Sequence, residues 1–215
     1  CKAHGITVYN AGGVYSAPMA EFVLGGILQL YKESKFFAEN QAAHRWEKHR
    51  GLRELSGKTA CIIGTGSVGS AIARRLRAFD VQTVGVNRSG HLAAEFDQTQ
   101  PTCRLDDLLP LADLVICAMP LTAETAGLFD SVRIAKIKSG AVFVNVARGK
   151  VTDQQALVEA LQSGQLSGAV LDVFEEEPLP RSSPLWDMEQ AILTPHNSFV
   201  GEHNGERLFR LICKN

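Results

Sequence analysis

The chain has 215 residues, 45% of them hydrophobic and 21% charged, with a formal net charge of −1. That balance describes an ordinary globular protein and gives no electrostatic ground for nucleic acid or an anionic membrane as a partner. No apolar run approaches the ~20 residues of a membrane helix and the N-terminus has no signal-peptide pattern, so a cytoplasmic protein is expected.

Residues 17–37 are strongly apolar, with Pro18 suited to a first helical turn, and predict one long helix. A polar stretch, 38–58, follows. Then a rhythm begins. Short apolar runs occupy 59–63, 81–86, 113–118, 141–146, 168–171 and 191–194, and helical patterns fall at 67–79, 105–111 and 153–163, the last closed by Gly164. A further short strand is expected around Thr102-Cys103. The apolar runs are continuous rather than alternating, as in strands covered on both faces. The expectation is therefore an α/β fold, a doubly wound parallel sheet of the Rossmann type. The five cysteines, Cys1, Cys61, Cys103, Cys117 and Cys213, are scattered with no C-x-x-C pair, which predicts free thiols and no metal site.

In open sheets of this class, ligands bind beyond the carboxyl ends of the strands. The residues following the six runs are Gly64-Thr65-Gly66-Ser67-Val68-Gly69, Asn87-Arg88-Ser89, Met119-Pro120, Ala147-Arg148, Asp172 and Pro195-His196. Parallel strands would gather all six groups into one crevice. The first is G-x-G-x-x-G between a strand and a helix, the context in which this motif holds a dinucleotide pyrophosphate against a helix N-terminus.

The second group sits where an acid usually contacts the adenosine ribose of NAD and repels the 2′-phosphate of NADP. A unit-charge pair at 4 Å is worth roughly 4 kcal/mol at an effective dielectric near 20, before screening. Asn87 removes that repulsion, while Arg88 and Ser89 add donors for a phosphate. NADP(H) is the expected cofactor, with NAD as second choice.

His196 follows a strand end. Asp172, Glu175, Glu176 and Glu177 supply carboxylates, and Arg148 a guanidinium. A His, a carboxylate and an Arg beside a nicotinamide suit hydride transfer to a carbonyl. The His donates the proton, the carboxylate holds its ring, and the Arg binds substrate oxygens. Spacing leaves open which glutamate faces the His.

The segments "HGITVYNAGGVYSAPMAE" (4–21), "ELSGKTACIIGTGSVGSAIARRL" (54–76), "MPLTAETAGLF" (119–129), "VFVNVARGKVTDQQALVEAL" (142–161), "GAVLDVFEEEPLP" (168–180) and "ILTPHNS" (192–198) together resemble the D-isomer-specific 2-hydroxyacid dehydrogenase family. The resemblance covers nearly the whole chain. It implies catalytic Arg148, Glu177 and His196. The cofactor set it implies adds Thr125 and Val146 to Gly64, Thr65, Gly66, Ser67, Val68, Gly69, Asn87, Arg88, Ser89, Met119, Pro120, Ala147 and Asp172, with Asp172 near the nicotinamide carboxamide.

The same resemblance implies a small 2-keto acid as substrate, of the glyoxylate or hydroxypyruvate type, and a homodimer formed through this domain. Two related readings are 3-phosphoglycerate dehydrogenase and a dinucleotide-sensing corepressor; a formate dehydrogenase is disfavoured, because that branch pairs its His with Gln. The chain begins at Cys1 and lacks the family's second lobe. It is therefore expected to be one NAD(P)-binding domain, 1–215, with 1–16 and 199–215 as connections to that lobe, binding cofactor with little turnover of its own.

Overall fold

The structure, a computed structural model, describes residues 4, 5 and 7–214; Cys1 lies outside them. Seven strands form one sheet: β1 (Thr59–Ile63), β2 (Gln82–Asn87), β3 (Gln98–Pro101), β4 (Leu114–Cys117), β5 (Ala141–Asn145), β6 (Leu166–Leu171) and β7 (Ala191–Leu193). Their order is β3-β2-β1-β4-β5-β6-β7, and every neighbouring pair is parallel. The doubly wound parallel sheet expected from the sequence is therefore the observed architecture.

The helices are α1 (Ser16–Tyr31), α2 (Ser34–Ala42), α3 (Ser67–Arg77), α4 (Leu105–Leu108), α5 (Ser131–Ala135), α6 (Gln154–Gln162) and α7 (Asn204–Lys214). Helix α3 buries Gly69, Ile72, Ala73 and Leu76, a stripe at helical spacing, against one face of the sheet. With Val23, Ile27 and Leu30 of α1 it closes a core over Ile62, Ile116, Val142 and Val144. On the opposite face, Leu105, Ile134, Leu157 and Leu161 cover Val115, Phe143 and Ala169. Both faces being covered explains the uninterrupted apolar strands.

Three expectations about elements need correction. The helix expected over 17–37 is two helices, parted at Lys32 and Glu33, where Glu33 takes a left-handed φ of 50°. Lys32 donates to the Arg53 carbonyl and Lys35 to the carbonyls of Glu189 and Ala191, so polar contacts with the rest of the fold redirect the chain there. The strand expected at Thr102-Cys103 lies just before it, at Gln98–Pro101, and residues 102–104 form a 3₁₀ turn. This is a half-exposed edge strand paired only with β2, and its Gln-Thr-Gln-Pro sequence carries no apolar run. Helix α5 was not anticipated, being one short turn capped by the Asp130 carboxylate on the Arg133 N–H.

Cys61, Cys103, Cys117 and Cys213 are free thiols. Burial pushes the Cys61 thiol up to about 12, so it serves as a small core hydrophobe. Among the described residues, no helix is long and apolar enough to cross a membrane, and no group of His, Cys, Asp and Glu is placed to hold a metal ion.

Candidate active site

Because all seven strands run in one direction, the loops after their carboxyl ends share one edge of the sheet. The Gly-rich turn follows β1 and the His196 loop follows β7, four strand spacings away, or about 19 Å at the usual ~4.8 Å per strand.

The Gly-rich turn is fixed by sterics. Gly64 has a φ of 106°, and a Cβ there would lie 2.7 Å from the Ala118 carbonyl oxygen. A Cβ on Gly69 would stand 1.9 Å from the Gly64 carbonyl oxygen. Gly66 differs: a Cβ would meet nothing within 4 Å. It is also the N-cap of α3 and brings no capping side chain. The first turn of α3 therefore begins without a side-chain cap on its N–H groups, the arrangement that accepts an anion. These residues fit a dinucleotide pyrophosphate.

At the end of β2, the Asn87 side chain builds the loop that follows. Its amide nitrogen donates to the Thr65 hydroxyl at 3.2 Å and the His91 carbonyl at 3.0 Å. Its amide oxygen accepts from the N–H groups of Ser89, at 3.2 Å, and Gly90, at 2.6 Å. Arg88 and Ser89 stand exposed on the resulting turn. The charge of Arg88 reaches the loop after β4. There the Thr122 hydroxyl first, then the residue's own N–H and Arg88, hold the Glu124 carboxyl below its usual range.

The loop after β4 carries Met119, which is buried, and Pro120. Thr125 braces this loop, donating to the Pro120 carbonyl and accepting from the Thr122 N–H, each at 2.7 Å.

After β5, Val146 and Ala147 are buried and Arg148 is exposed, its guanidinium donating to the Ala147 carbonyl at 2.6 Å. Asn145, overlooked in the sequence, shapes this turn. Its side chain is buried, accepts from the Ala147 N–H at 3.0 Å and donates to the Arg148 carbonyl at 3.1 Å. The available signal was an amide closing an otherwise apolar strand, which burial obliges to find partners. Gly149 then passes so close to the next loop that a Cβ would fall 1.8 Å from the Phe174 carbonyl oxygen.

The loops after β6 and β7 are tied together by Asp172, which is 1% exposed. One carboxylate oxygen accepts from the Thr194 hydroxyl at 2.6 Å and the Asn197 N–H at 2.7 Å; the other accepts from the Ser198 N–H at 3.0 Å. The Asp172 carbonyl accepts from the His196 N–H at 2.8 Å, and His196 has a left-handed φ of 52°.

The turn presents the His196 ring to Glu177, whose Oε2 lies 2.8 Å from His196 Nδ1. Of the three glutamates left open by the sequence, Glu177 is the one in contact. Its other oxygen accepts from the Phe174 N–H at 3.0 Å. Partial burial works to raise the Glu177 pKa. The hydrogen bonds from His196 and Phe174, with the charges of His196 and Arg148, outweigh it and hold the carboxyl below its ordinary value. Arg148 is thus within electrostatic reach of the pair. An aromatic wall flanks the His, with Phe199 6.4 Å from its ring and Tyr15 edge-on to Phe199 at 5.8 Å. On the other side Trp186, Pro178 and Leu179 line an apolar cleft of about 670 Å³.

The structure therefore gathers the six groups at one edge and joins Glu177 to His196 directly. A family model described as D-isomer specific 2-hydroxyacid dehydrogenase, NAD binding domain, matches residues 24–198. The chain is 36% identical to a glyoxylate reductase of Thermofilum pendens, covering 98% of this chain and 64% of that protein. It is also 36% identical to glyoxylate/hydroxypyruvate reductase B of Citrobacter koseri, covering 91% of this chain and 62% of that one. It thus spans less than two thirds of the length of these curated relatives. A solved D-isomer specific 2-hydroxyacid dehydrogenase from Xanthobacter autotrophicus Py2, in complex with NADPH and MES, superposes with a TM-score of 0.82 at 34% identity, covering 94% of this chain and 82% of that one.

Proposed function

This chain belongs to the D-isomer specific 2-hydroxyacid dehydrogenase family, and from that premise we propose that it is the nucleotide-binding part of an NADP(H)-dependent reductase of small 2-keto acids. The observation that carries the reading is the Glu177–His196 contact at 2.8 Å, beside Arg148, on the edge that also holds the Gly-rich turn.

The bound nicotinamide supplies a hydride to the carbonyl carbon. The chain's residues handle the charge that results. Glu177 occupies Nδ1 of His196, so Nε2 is the nitrogen free to face substrate. With Glu177 holding its ring, His196 gives a proton to the carbonyl oxygen as negative charge grows there. The Arg148 guanidinium has five donors and uses one on Ala147, leaving a planar fork for the substrate carboxylate or keto oxygen. Asp172 fixes the turn from which His196 acts, and the family resemblance assigns it to the nicotinamide carboxamide.

NADP(H) is favoured over NAD(H) by the absence of an acid at the end of β2 and by the exposed Arg88 and Ser89. The NADPH complex of the Xanthobacter relative supports the same choice. The names of the Thermofilum and Citrobacter relatives support glyoxylate or hydroxypyruvate as substrate. The residues that choose among keto acids are assigned to a second lobe of the whole protein, so this chain by itself binds nucleotide with little turnover.

A homodimer formed through this domain is part of the reading. It is supported by Trp46, which is 97% exposed on a segment without regular structure. Sedimentation of the chain at a dimer's mass supports this part, and a monomer at micromolar concentration removes it.

The deciding experiment is a panel of 2-keto acids offered to the full-length protein with NADPH and NADH in parallel. Turnover of glyoxylate or hydroxypyruvate with NADPH is expected. Tight nucleotide binding with no turnover on any acid would instead indicate a dinucleotide sensor.

A further inference from the structure

The loop 87–91 holds one contact that the cofactor reading does not use. Ser89 Oγ and His91 Nδ1 are 2.7 Å apart, on the exposed face that also carries Arg88. The loop that presents them is held by the chain's own hydrogen bonds. The Asn87 side chain makes four hydrogen bonds within or beneath it. Thr102 Oγ1 donates to the Asn87 carbonyl at 3.2 Å, and Thr99 Oγ1 donates to the Gly90 carbonyl at 3.3 Å. Gly90 has a φ of 75°, and a Cβ there would sit 2.7 Å from Pro101. One of the Asn87 bonds ends on the His91 carbonyl, so the backbone beneath the imidazole is pinned and its ring is delivered to Ser89.

We infer that His91 is a positioning residue for recognition of the 2′-phosphate: it donates from Nδ1 to Ser89 Oγ and so turns the serine hydroxyl proton outward, toward an anion. This rests on the NADP(H) reading above.

The argument is one of proton counting. A serine hydroxyl has one proton to give and lone pairs with which to accept. If it donates to His91, it offers a dianionic phosphate only lone pairs, which repel. If His91 Nδ1–H donates to it, the same hydroxyl is free to donate to a phosphate oxygen beside the Arg88 guanidinium, and a hydrogen bond to a charged acceptor is among the stronger ones. An anion at Arg88 therefore selects the state of the imidazole that carries a proton on Nδ1. NADH has a hydroxyl in place of the phosphate and gains little from this arrangement.

The test uses this chain and measures the dissociation constants of NADPH and NADH, with 2′,5′-ADP and 5′-AMP as the isolated halves that do and do not carry the 2′-phosphate. His91→Phe keeps a planar ring without a donor. It is expected to weaken NADPH and 2′,5′-ADP about fivefold and leave NADH and 5′-AMP unchanged. His91→Asn places an amide N–H close to the position of Nδ1 and is expected to restore most of the loss, which a role in loop stability alone would not do. Ser89→Ala is expected to cost at least as much as His91→Phe, and the double variant no more than Ser89→Ala alone.

Failure of the inference and failure of the cofactor reading give different results. A wild-type chain that binds NADPH no better than NADH overturns the NADP(H) reading, and this inference with it. A wild-type chain that prefers NADPH while His91→Phe keeps that preference overturns the inference alone. Additive losses in the double variant would mean that His91 touches the phosphate itself, and would overturn the positioning role.

Discussion

The two ends of the candidate site are built by different physics. At the nucleotide end, the Gly-rich turn and the loop 87–91 are set by backbone geometry: positive-φ glycines, Cβ positions that do not exist, and an asparagine whose four hydrogen bonds are all internal. At the acid/base end, the groups that matter are charged side chains at the surface. His196 and Glu177 are 40% and 36% exposed, and Arg148 is exposed as well. The first end is finished by the chain's own packing. The second is a side-chain contact on an open face. Backbone-built sites lose stability wherever an added atom would meet the backbone, whereas side-chain-built sites tolerate substitution structurally and lose chemistry.

That contrast can be broken most forcefully at its glycines. Gly69→Ala and Gly149→Ala each place a Cβ within 2 Å of a backbone carbonyl oxygen. Each is expected to cost about 3 kcal/mol or more in urea denaturation, at the upper end of overpacking. Gly66→Ala meets no atom. It should stay within about 1 kcal/mol of wild type while weakening NADPH at least about tenfold, since its methyl would occupy the pyrophosphate's approach. Equal stability losses at Gly66 and Gly69 would remove the distinction.

His196→Ala in the full-length protein tests the other end. Keto-acid reduction is expected to fall by about 10²–10⁴, the usual worth of a general acid. Nucleotide affinity should stay within about twofold, because no part of the backbone-built end is touched. Retained turnover would mean that another group donates the proton.

Arg88→Ala is expected to weaken NADPH by roughly tenfold, about 1.4 kcal/mol, and NADH hardly at all. Isothermal titration with both nucleotides checks it, and equal losses would make Arg88 a solvated surface charge.

The smallest effect belongs to Glu177. Its pKa is lowered in the folded protein, so its interactions stabilise the fold above the ordinary carboxylate range and are lost as pH falls through the folded value. Wild type should thus exceed Glu177→Gln in stability at neutral pH, and the gap should close on acidification. The gap should be modest and shrink with salt, because both partners are more than a third exposed. A gap that widens toward acid pH would contradict the assigned direction.

The buried strands were legible in the sequence because both faces of the sheet are covered, so β4 is apolar throughout and β1 and β5 are apolar but for Thr59 and Asn145 at their ends. The edge strand β3 was not, since a polar strand half in solvent has no apolar period to read. In the site, the glycine spacing was legible because sterics impose it locally. Asn145 was not, because its value lies in a turn two residues ahead that the sequence does not display.

The sequence by itself determined the fold class, the glycine turn, the missing acid at the end of β2 and the residue types of the acid/base set, because each follows from local sterics or from periodic burial. The family resemblance pointed to Glu177 among three consecutive glutamates, but only the tertiary structure decided that it meets His196, that Asp172 ties the two loops together, and that Asn87 is an internal brace. The first two outcomes depend on how the loops after β6 and β7 approach one another and the third on how the loop after β2 folds onto itself and Thr65, and a linear order of residues does not encode those distances.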